Sequence, residues 1–109
     1  MATMDDFVKL DMRVGTVINA NPFPEARVPA IKLEIDFGPL GIKRSSAQIT
    51  RRYSPEALVG RQVVAVVNFP PRRIGPFDSE VLVIGGVPDK GDVVLLGPDE
   101  SVPNGTPIA

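Results

Sequence analysis

AIKLEIDFGPLGIKRSSAQITRRYSPEALVGRQVVAVVN, residues 30–68, holds three strand-like segments and one short helix, in an order few small folds share. From Ala30 to Phe37 the residues alternate, Ile31, Leu33, Ile35 and Phe37 to one side and Lys32, Glu34 and Asp36 to the other. A strand places successive side chains on opposite faces, so this segment predicts a strand with one wet face. After the turn GPLG, Ile42 to Ile49 reads as a third strand, polar on average and the least core-like of the set. Ser54 then stands at a cap position, Pro55 at the first helical position, Glu56 in the first turn and Gly60 just past the end, which predicts a helix of under two turns. RQVVAVVN (61–68) is a continuous β-branched run, the pattern of a strand covered on both faces.

Working outward, DMRVGTVINA (11–20) alternates around Val14, Thr16 and Ile18 and predicts the first strand, with Gly15 marking a bulge or strong coiling. NPFPEARVP (21–29) has three prolines in nine residues and must be a rigid loop. Thr3 and Asp6 have the spacing to cap a brief N-terminal helical turn. On the other side, Glu80 to Ile84 and Asp92 to Leu96 predict two more strands around the turn GGVPDKG, and the turn-rich tail VPNGTPIA ends in an apolar Ile108 that should pack on something. About five short strands with one small helix between the third and fourth make an all-β, five-stranded Greek-key barrel of the oligonucleotide/oligosaccharide-binding (OB) type. The rivals are an SH3-like barrel or a small sandwich. No linker or repeat divides the chain, so residues 1–109 are expected to form a single domain with short terminal extensions.

The chain has 109 residues, 43% of them hydrophobic, and neither Cys nor His. That inventory excludes disulfides, thiolate zinc sites, thiol nucleophiles and every Ser-His or Cys-His triad. The acids are scattered without a recognisable pairing, and Asp78 and Glu80 flank Ser79 with no base beside them. The expectation is a binding protein rather than an enzyme, with no cofactor and no metal. The start MATMDDFVKLD carries acids where a signal peptide carries basic residues, and no run of about 18 apolar residues occurs. A soluble, cytoplasmic protein without membrane insertion is expected. A chain this small buries only roughly 60–70% of its unfolded surface, so a homodimer is expected to support it.

The net charge of −1 conceals an uneven distribution. Residues 1–37 hold four bases and six acids, residues 38–77 seven bases and only Glu56, and residues 78–109 Lys90 against six acids. A basic centre between acidic ends permits an anionic partner. The alternative is that the central bases pair with the acidic segments in the fold.

The segment NFPPRRIGPFDS (68–79) mixes two cations, two aromatics and three prolines, and it reads as a loop between strands. OB folds hold single-stranded nucleic acid by stacking bases on aromatics while cations track phosphates. Arg72 and Arg73 are the phosphate candidates, since guanidinium groups fork onto phosphate oxygens. Asn68 and Ser79 are candidates for base edges or sugar hydroxyls, and equally for tying loop backbone together. Lys43 and Arg44, with Arg51 and Arg52, lie at the two ends of the third strand, but alternation sends Lys43 and Arg44 to opposite faces. Phe69, Ile74 and Phe77 are three large side chains in one loop; they either pack into the core or a dimer contact or, with Tyr53, form a groove for an extended apolar peptide.

FVKLDMRVGTV (7–17) resembles the opening strand of the tRNA-binding domain superfamily. NPFPEARVPAIKLEIDFG (21–38), SSAQIT (45–50) and VVNFPPRRIGPFDSEVLVIG (66–85) resemble its CsaA branch of export-related chaperones, and the likeness extends over nearly the whole chain. The resemblance implies an OB-fold homodimer, tRNA as a partner across the superfamily, and binding of unfolded or exported polypeptides in this branch. Two positions depart from the superfamily pattern. Pro76 replaces a usual glycine, and Val81-Leu82 replaces a usual glycine-methionine, so a bulkier, stiffer surface stands where an RNA backbone would approach. Ligand identity stays open between RNA and polypeptide.

Overall fold

A computed structural model describes all residues, 1–109. Strand β1 (Met12–Pro22) is the axis of the structure. Its first half, Met12 to Thr16, pairs antiparallel with β4 (Gln62–Val66), and its second half, Thr16 to Pro22, with β2 (Ile31–Asp36). A strand that changes partner midway has to coil, and Gly15 sits where it does so: a Cβ there would lie 2.6 Å from Ile35 Cγ2. The register shift comes a little later, between Val17 and Asn19. Of the two readings of Gly15, strong coiling is the one that holds, and the bulge lies further along the strand.

β2 pairs antiparallel with β3 (Ile42–Ala47), and β4 with β7 (Leu82–Val83), giving the sheet order β3-β2-β1-β4-β7. The sheet curls until its ends meet. The backbone N–H of Glu80 donates to the carbonyl of Arg44 at 2.8 Å, and the Ser45 hydroxyl donates to the carbonyl of Val81 at 3.0 Å. The result is a nearly closed five-stranded antiparallel barrel of OB type, with helix α2 (Pro55–Leu58) between β3 and β4 as expected. Leu58 of α2 is fully buried with Ile31, Leu33 and Ile35 of β2, Phe37 just after it, and Val63 of β4. Val63, Val64, Ala65 and Val66 are all buried, so β4 is indeed covered on both faces.

The polar third strand has a structural reason. Its inward positions Lys43, Ser45 and Ala47 oppose Ile35, Leu33 and Ile31, and Ser45 is 1% exposed because its hydroxyl closes the barrel. Ser45→Ala should cost about 1–3 kcal/mol, since it leaves the Val81 carbonyl buried without a donor; a urea midpoint equal to that of the unaltered protein would refute this.

Three expectations are corrected. Residues 68–79 are not all loop: β5 (Arg72–Ile74) and β6 (Phe77–Ser79) form a hairpin across Gly75-Pro76. Only Leu82 and Val83 of the segment 80–84 are in a strand. GGVPDKG is not a turn throughout, because β8 (Gly85–Asp89) pairs with β9 (Asp92–Leu95) and only its end turns. At the N-terminus, Thr3 N–H donates to Asp6 Oδ2 at 2.9 Å and starts α1 (Met4–Val8), which buries none of its residues. The tail runs beside the start of β1, with Ile108 N–H donating to the carbonyl of Met12 at 3.0 Å.

Candidate polypeptide and nucleic-acid interface

The hairpin β5–β6 is held against the barrel by aromatic packing. Phe77 meets Phe23, a buried residue of the proline-rich loop, edge to face at 5.3 Å between ring centroids. Arg44 of β3 lies over the Phe77 ring at 5.2 Å, and Lys32 of β2 over the Phe23 ring at 5.3 Å. Both cations stand on the outer face of β2 and β3, where Arg44 opposes Glu34 and Lys32 opposes Ser46. Such cation–ring contacts favour the pairing further when solvent is excluded. Phe77 is therefore an anchor of the hairpin.

Behind that anchor lies a cleft of about 630 Å³, between the hairpin, the loop Ala26–Ala30, the end of β3 and the segment Ser79–Val83. Eleven of its 18 lining residues are hydrophobic, which makes it the natural place for an apolar ligand. Ala47, Ile49, Val81 and Val83 contribute its floor, while Phe69 and Leu82 reach it as exposed side chains, 43% and 50% accessible. Arg27 and Arg72 also line it, and neither has an acid within ion-pair distance.

The fold brings together only some of the residues singled out from sequence. Phe69, Ile74, Arg72 and Ser79 meet at the cleft, and Ser79 Oγ also accepts the Ser46 N–H at 3.0 Å. Arg73 points elsewhere and pairs with Asp78 at 3.0 Å. Arg44 belongs to the outer face of β3 and pairs with Glu80 at 3.7 Å, whereas Lys43 is turned to the opposite face, as alternation required. Asn68 uses its side chain on the N-terminal segment, accepting the Asp11 N–H at 2.9 Å and donating to the Lys9 carbonyl at 2.8 Å. Tyr53 packs on the core, its hydroxyl accepting the Leu95 N–H at 3.1 Å and its ring lying under Arg61 at 5.2 Å. Phe77 and Tyr53 thus lie outside the cleft lining. Arg27, Gln48 and Val83 line it without having been singled out, and the chain offers no local signal for them because separate segments meet there; Leu82, noted only as a departure from the superfamily pattern, lines it too.

The basic centre is largely matched by the acidic C-terminal third. Arg44, Arg51, Arg52 and Arg73 pair with Glu80, Asp89, Asp92 and Asp78. The strongest of these is bidentate, with Arg52 Nη2 at 2.9 Å from Asp92 Oδ2 and Nε bonded to Oδ1. It ties the segment after β3 to the hairpin β8–β9. The Arg52 hydrogen bond holds the Asp92 carboxyl below the usual carboxylate range, against a smaller opposing effect of burial. A carboxyl depressed in this way stabilises the fold above its unfolded value of about 4 and loses that contribution as pH falls through its folded value. Asp92→Asn should therefore be less stable than the unaltered protein at pH 7, with the gap shrinking below about pH 4; urea melts giving a pH-independent gap would contradict this.

Comparison with known proteins agrees with this architecture. The model of the family described as "Putative tRNA binding domain" matches residues 12–107. The chain is similar to the crystal structure of chaperone CsaA from Bacillus anthracis, with 66% identity, a TM-score of 0.96 and coverage of 100% of this chain and 99% of that one. It is similar also to the CsaA chaperone protein from Picrophilus torridus, with 47% identity, a TM-score of 0.93 and full coverage of both chains. Among curated relatives, the Methionine--tRNA ligase of Methanococcoides burtonii is 32% identical over 108 residues, which are 99% of this chain and 16% of that protein. This chain thus spans about one sixth of the length of such ligases. The family match over nearly the whole chain and the near-complete superposition on two CsaA structures lead to one conclusion: the chain belongs to the CsaA family of the tRNA-binding-domain superfamily.

Proposed function

We propose that this protein is a non-catalytic, chaperone-like binding protein that holds unfolded or signal-bearing polypeptide in an extended state and also binds tRNA. The apolar cleft carries the reading: Phe69 and Leu82 are large, exposed side chains beside a hydrophobic floor, which suits an apolar segment, and Arg72 supplies a polar rim. The relatives named chaperones support the same reading. tRNA as a partner is supported by the family match and by Lys32, Arg27 and Arg72, cations outside every ion pair of the fold.

The working form proposed is a cytoplasmic homodimer joined through α1 and the tail. Met4 and Val8 of α1 are both more than 70% exposed, and a second copy would cover them. No helix is long and apolar enough to cross a membrane.

The test is a fluorescence titration with labelled tRNA and with a labelled apolar export-signal peptide, each at two salt concentrations. Phosphate binding weakens steeply with salt and apolar binding hardly changes. The expected result is salt-insensitive peptide binding beside salt-sensitive tRNA binding, with Arg72→Ala lowering the tRNA salt slope by about one. Tight tRNA binding with no peptide binding would instead make structured RNA the ligand and sink the chaperone reading.

A further inference from the structure

The cleft lies along an incomplete seam in the barrel. All neighbours in the order β3-β2-β1-β4-β7 are antiparallel, so β3 and β7, which face each other across the closure, run in the same direction. They touch only briefly. The Arg44 carbonyl accepts Glu80 N–H and Val81 N–H, while Ser46 N–H is taken by the Ser79 hydroxyl, a side chain standing where a neighbouring strand would offer a carbonyl. Beyond that contact, Ala47 and Gln48 on one side and Leu82 and Val83 on the other line the cleft.

Strand geometry states what each edge presents there. Arg44 and Ser46 point their backbone groups away from β2, toward the seam, and Gln48 follows just past the end of β3. Neither the N–H nor the carbonyl of Gln48 makes a hydrogen bond within the chain. On the other side, Val81 N–H bonds to β3 and Ile84 N–H to the Val64 carbonyl of β4, so Val83 turns its backbone groups toward the seam. Gln48 and Val83 both line the cleft. The unpaired backbone just past β3 and the outer edge of β7 therefore border an apolar space, the arrangement that added strands use: main-chain bonds supply affinity and alternate side chains enter the floor.

Charge narrows the occupant. Glu80 is the one carboxylate in the lining, and it is engaged by Arg44, whose N–H it accepts at 3.0 Å. Arg27 and Arg72 are left without a counter-charge. We infer that an extended polypeptide segment with a carboxylate beside an apolar run docks here as an added strand, bonded by its main chain to Gln48 and Val83 and completing the barrel. This rests on the polypeptide-binding reading above and gives it a mechanism: backbone bonding is indifferent to sequence, as holding varied clients requires.

The probe is a fluorescein-labelled acetyl-Asp-Val-Thr-Val-Thr-Val amide, together with two versions N-methylated at alternate residues in opposite phase, and one with lysine in place of the aspartate. N-methylation removes N–H donors while keeping every side chain. Each methylated peptide should bind about tenfold more weakly than the parent, since a strand inserted between two edges uses donors on both sides, and the lysine peptide should also lose affinity. Gln48→Pro should weaken the parent peptide by a similar factor without lowering the melting temperature, because the N–H it removes holds nothing in the fold. Should that variant melt lower, the methylated peptides on the unaltered protein still decide. Equal binding of parent and methylated peptides overturns strand addition while leaving polypeptide binding standing, and failure of every peptide to bind overturns both. A methylation-insensitive peptide displaced by tRNA would make RNA the occupant and also overturn it.

Discussion

Gly15→Val should lower the stability of this protein by more than about 3 kcal/mol, enough to leave much of a marginally stable small fold unfolded. At Gly15, β1 leaves β4 and turns to β2, and the strand passes directly over two core side chains. A Cβ would sit 2.6 Å from Ile35 Cγ2 and 2.8 Å from both Phe37 Cδ1 and Cε1, and those residues are themselves completely buried. Packed interiors have no slack for such an insertion, and valine adds two methyl groups beyond the clash. Gly86→Ala is the control, because a Cβ there meets nothing within 4 Å. Circular dichroism in urea should show a large fall of the midpoint for the first and almost none for the second. A near-unchanged midpoint for Gly15→Val would mean that β1 moves off the sheet easily, and that the coil at this point does not fix the barrel.

The same position shows what the sequence made legible. Gly15 was conspicuous because it interrupts an alternating strand, and the β2 alternation was conspicuous because one face is wet. Both signals are local and periodic, as are the cap, proline and glycine that delimit α2. The hairpin β5–β6 was hidden for the opposite reason. RRI and FDS have little strand propensity, and the prolines around them argue for loop; what forms the hairpin is Phe77 reaching Phe23, a contact between two proline-rich segments more than 50 residues apart. Segmental charge raised an anionic partner and internal pairing as alternatives, and the fold uses four of the seven central bases for internal pairing. Arg72 stayed outside those pairs, a distinction from Arg73 that adjacent identical residues cannot reveal.

Leu82→Glu should weaken apolar-peptide binding by about a hundredfold, roughly 2.7 kcal/mol, while leaving the fold intact. Leu82 stands at one of the positions where the chain departs from the superfamily pattern, and its neighbour Val81 is buried in the core. Strand alternation turns Leu82 outward, half exposed, onto the wall of the cleft, and its pairing with Val66 runs through the backbone. Substitution there should therefore change stability by less than about 0.5 kcal/mol. A bound peptide covers this wall and strips water from whatever side chain stands on it. A glutamate would have to be desolvated beside Glu80 and facing a ligand that itself carries a carboxylate, at a cost of several kcal/mol, whereas leucine contributes apolar contact instead. Leu82→Met, which keeps volume and polarity, should bind like the unaltered protein. If the glutamate variant unfolds at the same urea concentration and still binds the peptide equally well, the ligand does not lie in the cleft, and the exposed apolar residues of α1 become the surface to examine.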